Sequence, residues 1–165
     1  MTNNTEHSAE KLLVALELSN KKWLLGFYNG VKIRRKSIDA RNRKRFLAEL
    51  ELAKAKLGFQ EDAEVLCCYE AGRDGFWISR WLESEGLNCL VLDPASIEVS
   101  RRNRRAKTDR LDVESLVRLL SRYDGGETKV CSIVNVPSAE QEDALRLGRE
   151  LKRLKNERKG HINRI

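Results

Sequence analysis

Two aspartates, Asp109 and Asp112, stand three residues apart at the head of a stretch that has the apolar spacing of a helix. The apolar residues that follow them are Val113, Leu116, Val117, Leu120 and Tyr123. Because residues one helical turn apart share a face, both carboxylates extend this apolar stripe toward the protein core. A carboxylate near a core requires a partner, since an unpaired buried charge is strongly unfavourable.

Six cations crowd around these acids: Arg101, Arg102, Arg104, Arg105, Lys107 and Arg110. One interpretation is helix capping, with Thr108 or Asp109 as the N-cap and Asp112 favoured in the first turn by the helix dipole. The other is a divalent metal held by carboxylate oxygens, with the cations arranged along a nucleic-acid backbone. The rest of the chain bears on this choice.

Two further acids lie within or directly after apolar runs. Glu17 is the acid within the run LLVALELS at residues 12–19, and Glu70 ends a short apolar run at residues 65–69. Each has a simple structural explanation, because Glu17 could face solvent at a sheet edge and Glu70 could be a turn residue. Their significance therefore depends on where the fold places them.

The predicted elements follow the order β-β-β-α-β-α-β-α. The first three strands are expected to be antiparallel, with a hairpin turn at Asn29-Gly30. The predicted strands are 12–19, 23–28, 31–38, 65–69 and 88–94, and the predicted helices are 41–58, 76–86, 101–123 and one from residue 138 onward. Residues 130–136 are expected to form an extended connector or an edge strand. This order is that of the ribonuclease H-like (RuvC-like) fold, an α/β architecture with a mixed five-stranded sheet flanked by helices and followed here by a charged C-terminal helix.

The helix at 41–58 is expected to bury one face and to leave its other, basic face solvated. Its apolar face comprises Phe46, Leu47, Leu50, Ala53 and Leu57, and Gly58 fits a C-terminal stop. Trp77 and Trp81 share an apolar face of the next helix, so we expect core residues there rather than base-stacking platforms. Ser138 and Gln141 match a capping box for the last helix.

The ribonuclease H-like fold places acids on its first strand, on its fourth strand and on a late helix. Glu17, Glu70, Asp109 and Asp112 are the acids at those places in this chain. Two hard cations about 3.5–4 Å apart can stabilise the attacking and leaving oxygens of a phosphodiester in an in-line displacement. The sequence therefore predicts that these acids are catalytic ligands of Mg²⁺, with Mn²⁺ as a substitute.

The segments YEAGRDGFW, LDPASIEVSRRNRRAKTDRLDVESLVRLL and NRI resemble the N-terminal DEDD domain of a bacterial insertion-sequence transposase family, the RuvC-like recombinases guided by a bridge RNA. The resemblance covers about residues 12–123, and it implies DNA cleavage and rejoining together with a C-terminal domain that bears a serine nucleophile. It further implies DNA, a structured guide RNA and a homo-oligomer as partners. Glu70, Asp109 and Asp112 match three of the four DEDD acids, whereas Glu17 stands where the family has aspartate.

Two other functions are considered, and the residues after the first strand disfavour the second of them. A non-catalytic module could hold guide RNA or DNA through Arg101 to Arg110 and Arg41 to Arg45. An actin-like phosphotransferase would need a glycine-rich phosphate loop after the first strand, and residues 19–22 contain no glycine. No serine lies in a motif that marks a nucleophile.

Composition sets the remaining expectations. The net charge of +7 favours an acidic partner such as nucleic acid. The four cysteines lack zinc-site spacing, so we expect reduced thiols. We expect a bacterial cytoplasmic, nucleoid-associated protein, because no signal peptide or membrane span is evident in the sequence. The predicted organisation is a disordered tail at 1–11, a RuvC-like domain at 12–136, and at 137–165 the start of a helical, possibly coiled-coil segment that is cut short.

Overall fold

The computed structural model describes residues 11–72, 75–97, 109–162 and Arg164, with the side chains of residues 109–112 outside the description. The chain divides into two compact units, Met1–Val134 and Asn135–Ile165. Most of the predicted disordered tail lies outside the described residues, and the first strand begins at Lys11.

A five-stranded mixed sheet forms the centre of the first unit. Its strands are β1 (Lys11–Leu18), β2 (Lys22–Tyr28), β3 (Ile33–Asp39), β4 (Glu64–Glu70) and β5 (Asn88–Leu92). The strand order is β3-β2-β1-β4-β5, in which β1, β2 and β3 pair antiparallel while β4 is parallel to both β1 and β5. The predicted mixed sheet is confirmed, and it is compatible with a ribonuclease H-like fold.

The helices are α1 (Arg43–Leu57), α2 (Trp77–Ser84), α3 (Asp109–Asp124) and α4 (Ala139–Ile162), with a 3₁₀ turn at Pro94–Ser96. The side chain of Asn42 caps α1 by accepting a hydrogen bond from the Arg45 amide. The helix ends at Gly58, whose φ of 84° is the left-handed conformation that glycine adopts easily. The predicted stop at this residue is confirmed.

Helices α1 and α3 lie on opposite faces of the sheet. Arg34 of β3 pairs with Glu49 of α1, whereas the next residue, Arg35, pairs with Glu114 of α3. Successive strand residues point to opposite faces, so these two ion pairs assign one helix to each face. The stripe on α3 that the sequence predicted is buried at Val113, Leu116, Val117 and Leu120.

The hairpin between β2 and β3 is longer than the expected turn at Asn29-Gly30. The strands stop pairing at Tyr28 and Ile33, and Val31 is 80% exposed in the loop between them. The Asn29 side chain shapes this loop by accepting hydrogen bonds from the amides of Val31 and Lys32. Val31 therefore belongs to the turn, because Asn29 replaces the strand partners that those amides would otherwise need.

Two expectations about helix faces can be compared with the structure. The face of α1 opposite its apolar stripe is exposed at Lys44 and Lys56, as expected, whereas Glu49 lies one turn from Phe46 on the buried side, is only 1% exposed and contacts cations from β3. Trp77 is half-buried rather than fully buried, with its ring 6.0 Å from that of Trp23. Trp81, by contrast, is buried as expected and packs edge-on against Phe46.

The second unit contains α4. The predicted capping box is confirmed, since the Ser138 amide donates to the Gln141 side chain and the Gln141 amide donates to the Ser138 hydroxyl. Leu147, Leu151 and Leu154 are exposed along this helix. Within the part of the chain that the structure describes, none of the helices combines the length and apolar character that a membrane crossing requires.

Residues 130–136 contribute an isolated bridge rather than a regular strand. Ile133 pairs antiparallel with Leu92 of β5, and the Val134 amide donates to the Val91 carbonyl oxygen at 2.8 Å. This segment therefore adds one bridged residue pair to the sheet, on the outer side of β5.

Candidate functional site

Glu17 and Glu70 lie at equivalent positions on adjacent parallel strands. In the register of β1 with β4, Leu16 pairs with Tyr69, and each glutamate is the next residue along its strand. Carboxyl ends of parallel strands meet at one edge of a sheet, so both acids lie at that edge. They line a common cavity of about 200 Å³, together with Leu16, Leu18, Tyr69, Ala71 and Gly72.

Both glutamates belong to the sheet face that α3 covers. Leu13 and Ala15 of β1 and Leu66 and Cys68 of β4 pack in one cluster with the apolar stripe of α3. Side chains two residues apart along a strand share a face, so Glu17 continues the β1 series and Glu70 continues the β4 series. Glu17 is half-buried and Glu70 is exposed.

The direction of α3 places its first turn at the same edge. Lys11, at the start of β1, forms an ion pair of 2.9 Å with Asp124, at the end of α3. The helix therefore runs antiparallel to β1. A helix of 16 residues is about 24 Å long and a strand of eight residues about 26 Å, so the helix traverses the strand almost from end to end. The backbone positions of Asp109 and Asp112 thus lie toward the carboxyl end of β1, where Glu17 is.

Close packing at a glycine holds α3 against the sheet. A Cβ atom placed on Gly26 of β2 would lie 2.9 Å from Val117 Cγ2 and 3.1 Å from Val113 Cγ2. The backbones of β2 and α3 can approach this closely because Gly26 has no side chain. The expectations drawn from the sequence do not include Gly26, although a glycine inside an apolar strand indicates a close backbone approach.

The other predicted site residues lie outside the described part. Five of the cations, Arg101, Arg102, Arg104, Arg105 and Lys107, fall in the segment that the structure does not describe. The structure likewise does not describe the side chains of Asp109, Arg110 and Asp112. Among the residues that are described, no three His, Cys, Asp or Glu side chains cluster in a way that could hold a metal. Glu17 and Glu70 are carboxylates, the oxygen donors that Mg²⁺ and Mn²⁺ prefer.

The cysteines are all free thiols and take no part in this edge. Burial raises the pKa of Cys67 and of Cys68 well above the usual range for a thiol. For Cys89, burial raises the pKa to about 12 against a smaller opposing effect of a hydrogen bond from Ser79. The predicted reduced state is consistent with these buried, protonated thiols.

A larger groove, of about 750 Å³, lies beside α3 and is bordered by the loop at residues 126–130. Glu127 is the acid among its lining residues, and Arg122 donates two hydrogen bonds to that carboxylate, at 3.0 and 2.7 Å. An acid held in this way is poorly placed to bind a cation. The cavity between the ends of β1 and β4 is therefore the better candidate site.

Two curated relatives show what the chain is similar to. Over 159 residues it is 43% identical to y4rJ of Sinorhizobium fredii, a protein provisionally named a transposase, and this alignment covers 93% of the chain. Over 77 residues, or 47% of the chain, it is 38% identical to the transposase for insertion sequence element IS1533 of Leptospira borgpetersenii. No family model matches the chain, and no solved structure gives a significant match.

The chain spans only part of each of these relatives. It covers 40% of the length of the Sinorhizobium protein and 20% of the Leptospira protein. Both relatives carry transposase names, and this similarity supports a function related to transposition.

Proposed function

We propose that the chain is the metal-binding, RuvC-like part of an insertion-sequence transposase, with Glu17, Glu70, Asp109 and Asp112 as ligands of Mg²⁺ or Mn²⁺. The observation that carries the proposal is the shared edge: the register of β1 with β4 aligns the two glutamates, and α3 runs back so that its first turn lies at the same edge. The transposase names of the two relatives support the same function.

The residues at this edge would act by positioning and by charge. Bound metal would supply electrostatic stabilisation of the attacking and leaving oxygens of a DNA phosphodiester. Glu17 and Glu70 reach the edge from two adjacent, paired parallel strands, which fix the spacing between their backbone positions. The half-buried position of Glu17 limits the water around its carboxylate and strengthens its attraction for a cation.

Glu17 stands at the position where the family that the chain resembles has an aspartate. The extra methylene moves the carboxylate by about 1 Å or more, and a misplacement of that size can lower a catalytic rate about a hundredfold. This residue favours a second candidate function, a module that binds DNA or guide RNA without cutting it. In either case the partners that we propose are DNA, a structured guide RNA and further copies of the chain, in a bacterial cytoplasm close to the nucleoid.

Complete DNA cleavage and rejoining would also require a serine nucleophile from a further domain. Because the chain covers 40% of the Sinorhizobium relative, such a domain would correspond to sequence beyond the aligned part. The test of the proposal is therefore metal binding, which on this proposal requires the four acids and not that further domain.

The experiment is a calorimetric titration of the purified chain with Mn²⁺ and with Mg²⁺. We expect one site or a coupled pair of sites that is lost in Asp109→Asn and in Asp112→Asn. Glu17→Asp should tighten binding, because it restores the shorter side chain. Asp62→Asn is the matched control, since Asp62 is an exposed aspartate just before β4, at the opposite end of that strand from Glu70.

Binding that is unchanged in Asp109→Asn and Asp112→Asn would overturn the proposed metal site. If the chain also binds nucleic acid equally well with and without EDTA, the second candidate, a non-catalytic binding module, would replace the first.

A further inference from the structure

A second concentration of positive charge in the sequence lies at residues 32–45, well before the cations at 101–110. Residues 32–45 contain eight cations and one acid, Asp39, an excess equal to the net charge of +7 of the whole chain. The cations are Lys32, Arg34, Arg35, Lys36, Arg41, Arg43, Lys44 and Arg45. The one acid, Asp39, already has an ion-pair partner from outside this region, because its Oδ1 atom lies 2.6 Å from Lys22 Nζ.

A single buried carboxylate organises three of these cations. Glu49 of α1 lies 2.7 Å from Arg34, 2.7 Å from Arg45 and 3.6 Å from Lys36. One negative charge cannot balance three positive charges, so the cluster keeps a positive excess. The side chains of Lys36 and Arg45 are 39% and 49% exposed, which leaves both accessible to a partner in solution.

The first turn of α1 adds further cations to the same region. It contains Arg43, Lys44 and Arg45 and no acid, although the helix dipole favours acids at this end. The Arg43 guanidinium is held 5.2 Å from the ring centre of Trp77 and 5.5 Å from that of Trp81. Placing cations here costs helix stability, and a bound anion would offset that cost.

We infer that this β3–α1 basic surface, comprising Arg34, Lys36, Arg43, Lys44 and Arg45, binds the phosphate backbone of a nucleic acid. Arginine predominates, and its planar guanidinium matches the geometry of phosphate oxygens. Glu49 fixes two of these guanidiniums in advance, so less side-chain entropy is lost when phosphate binds. The inference rests on the proposed function for its choice of nucleic acid, but the contact itself requires no metal.

The β3–α1 basic surface differs from the site at Glu17 and Glu70 in its charge and in the face of the sheet on which it lies. Glu17 and Glu70 belong to the α3 face, whereas Arg34 and Lys36 contact α1 on the other face. Arg35 is excluded from the surface because it pairs with Glu114 of α3. The surface would thus position a nucleic acid rather than contribute to the chemistry at the acids.

The test is the double variant Lys36→Gln/Arg45→Gln, which retains Arg34 as a partner of Glu49 and so keeps the buried carboxylate paired. Affinity for a labelled DNA duplex and for a labelled RNA hairpin is measured by fluorescence anisotropy in EDTA across a series of salt concentrations. The expected result is a loss of affinity on the order of tenfold or more. For duplex DNA, the slope of log affinity against log salt concentration should become shallower by about 0.9 for each lost phosphate contact.

The matched control is Arg118→Gln/Lys129→Gln, which removes two cations from exposed positions, one on α3 and one in the loop that follows it. Thermal unfolding of each variant verifies folding, and Arg45→Gln alone is a milder second variant. A loss on DNA, on RNA or on both in the test variants and not in the control supports the inference, and the polymer that loses more affinity is the partner of this surface.

Equal affinities for the test and control variants would overturn the inference. Competition by polyglutamate as effective as competition by unlabelled nucleic acid would overturn it as well, because the surface would then be selective for carboxylates. Since the measurement is made in EDTA, its failure is distinct from a failure of metal binding at Glu17, Glu70, Asp109 and Asp112.

Discussion

Gly26 of β2 lies directly against Val117 of α3, so closely that a Cβ atom on Gly26 would be 2.9 Å from Val117 Cγ2. The same Cβ atom would be 3.1 Å from Val113 Cγ2, one turn earlier on the helix. Gly26 also pairs with Ala15 of β1, two residues before Glu17. This contact therefore sets the distance between the sheet that bears Glu17 and the helix whose first turn bears Asp109 and Asp112.

The first prediction is that Gly26→Ala lowers the free energy of unfolding by about 1–3 kcal/mol, the usual cost of overpacking a core. The added methyl group would push α3 away from the sheet. Because that shift also separates the acids, Mn²⁺ affinity should fall by more than stability alone explains. Urea denaturation and metal titration of the same variant measure the two effects.

Val117→Ala in the Gly26→Ala background is the control for steric origin. It removes the atom that the new methyl group would meet, so the two substitutions together should destabilise less than the sum of their separate effects. Strictly additive effects would show that Gly26 does not set the position of α3.

Much of the fold was predictable because its signals are local. Gly58 ends α1, Ser138 and Gln141 form the capping box of α4, and Val113 begins the buried stripe of α3, as their patterns indicated. The cations around Glu49 could not be predicted in this way. The spacing of Phe46, Leu50 and Ala53 puts Glu49 on the buried side of α1, but Arg34 and Lys36 come from another element, so no periodicity within α1 reveals these ion pairs.

A second prediction concerns the pH dependence of the Glu49 cluster. Burial tends to raise the pKa of Glu49, but the hydrogen bond from Arg34 and the charges of Lys36, Arg34 and Arg45 outweigh it and hold the pKa below its usual value. A carboxylate with a lowered folded-state pKa stabilises the fold above its unfolded pKa, about 4.3 for glutamate. This stabilisation is lost as the pH falls from that value through the folded-state pKa.

Glu49→Gln should therefore destabilise the chain by about 1.5–3 kcal/mol at neutral pH, the range for hydrogen bonds to charged groups. The difference from the unsubstituted chain should shrink as the pH falls below about 4.3. Urea midpoints across a pH series measure it, with Glu61→Gln, an exposed loop position, as the charge control. A difference that stays constant with pH would contradict the ion-pair account.

The third prediction is that the four thiols react slowly in the folded chain. Burial raises the pKa of Cys67, Cys68, Cys89 and Cys131, so little reactive thiolate is present near pH 8. Ellman's reagent should label all four cysteines rapidly in denaturant and none rapidly without it. A single fast-reacting thiol in the folded chain would show that its local packing is looser than the structure indicates.

The candidate site was predictable only in part. Asp109 and Asp112 were recognisable from their spacing, and Glu17 and Glu70 from their places in apolar runs. That the two glutamates share a face depends on the parallel register of Leu16 with Tyr69, which joins strands separated by more than 40 residues of sequence. Such pairing is decided by the tertiary fold, as is the antiparallel course of α3 that Lys11 and Asp124 fix.

The most direct test of the metal site is paramagnetic broadening of backbone amide signals by Mn²⁺ in the ¹⁵N-labelled chain. If the four acids converge on one metal site, substoichiometric Mn²⁺ should broaden the amides of Leu18, Ala71 and the first turn of α3. The amides of Lys11 and Glu64, at the other end of β1 and β4, should stay sharp, since an eight-residue strand such as β1 separates its ends by about 26 Å. Broadening centred on another region, or spread evenly over the chain, would contradict the account.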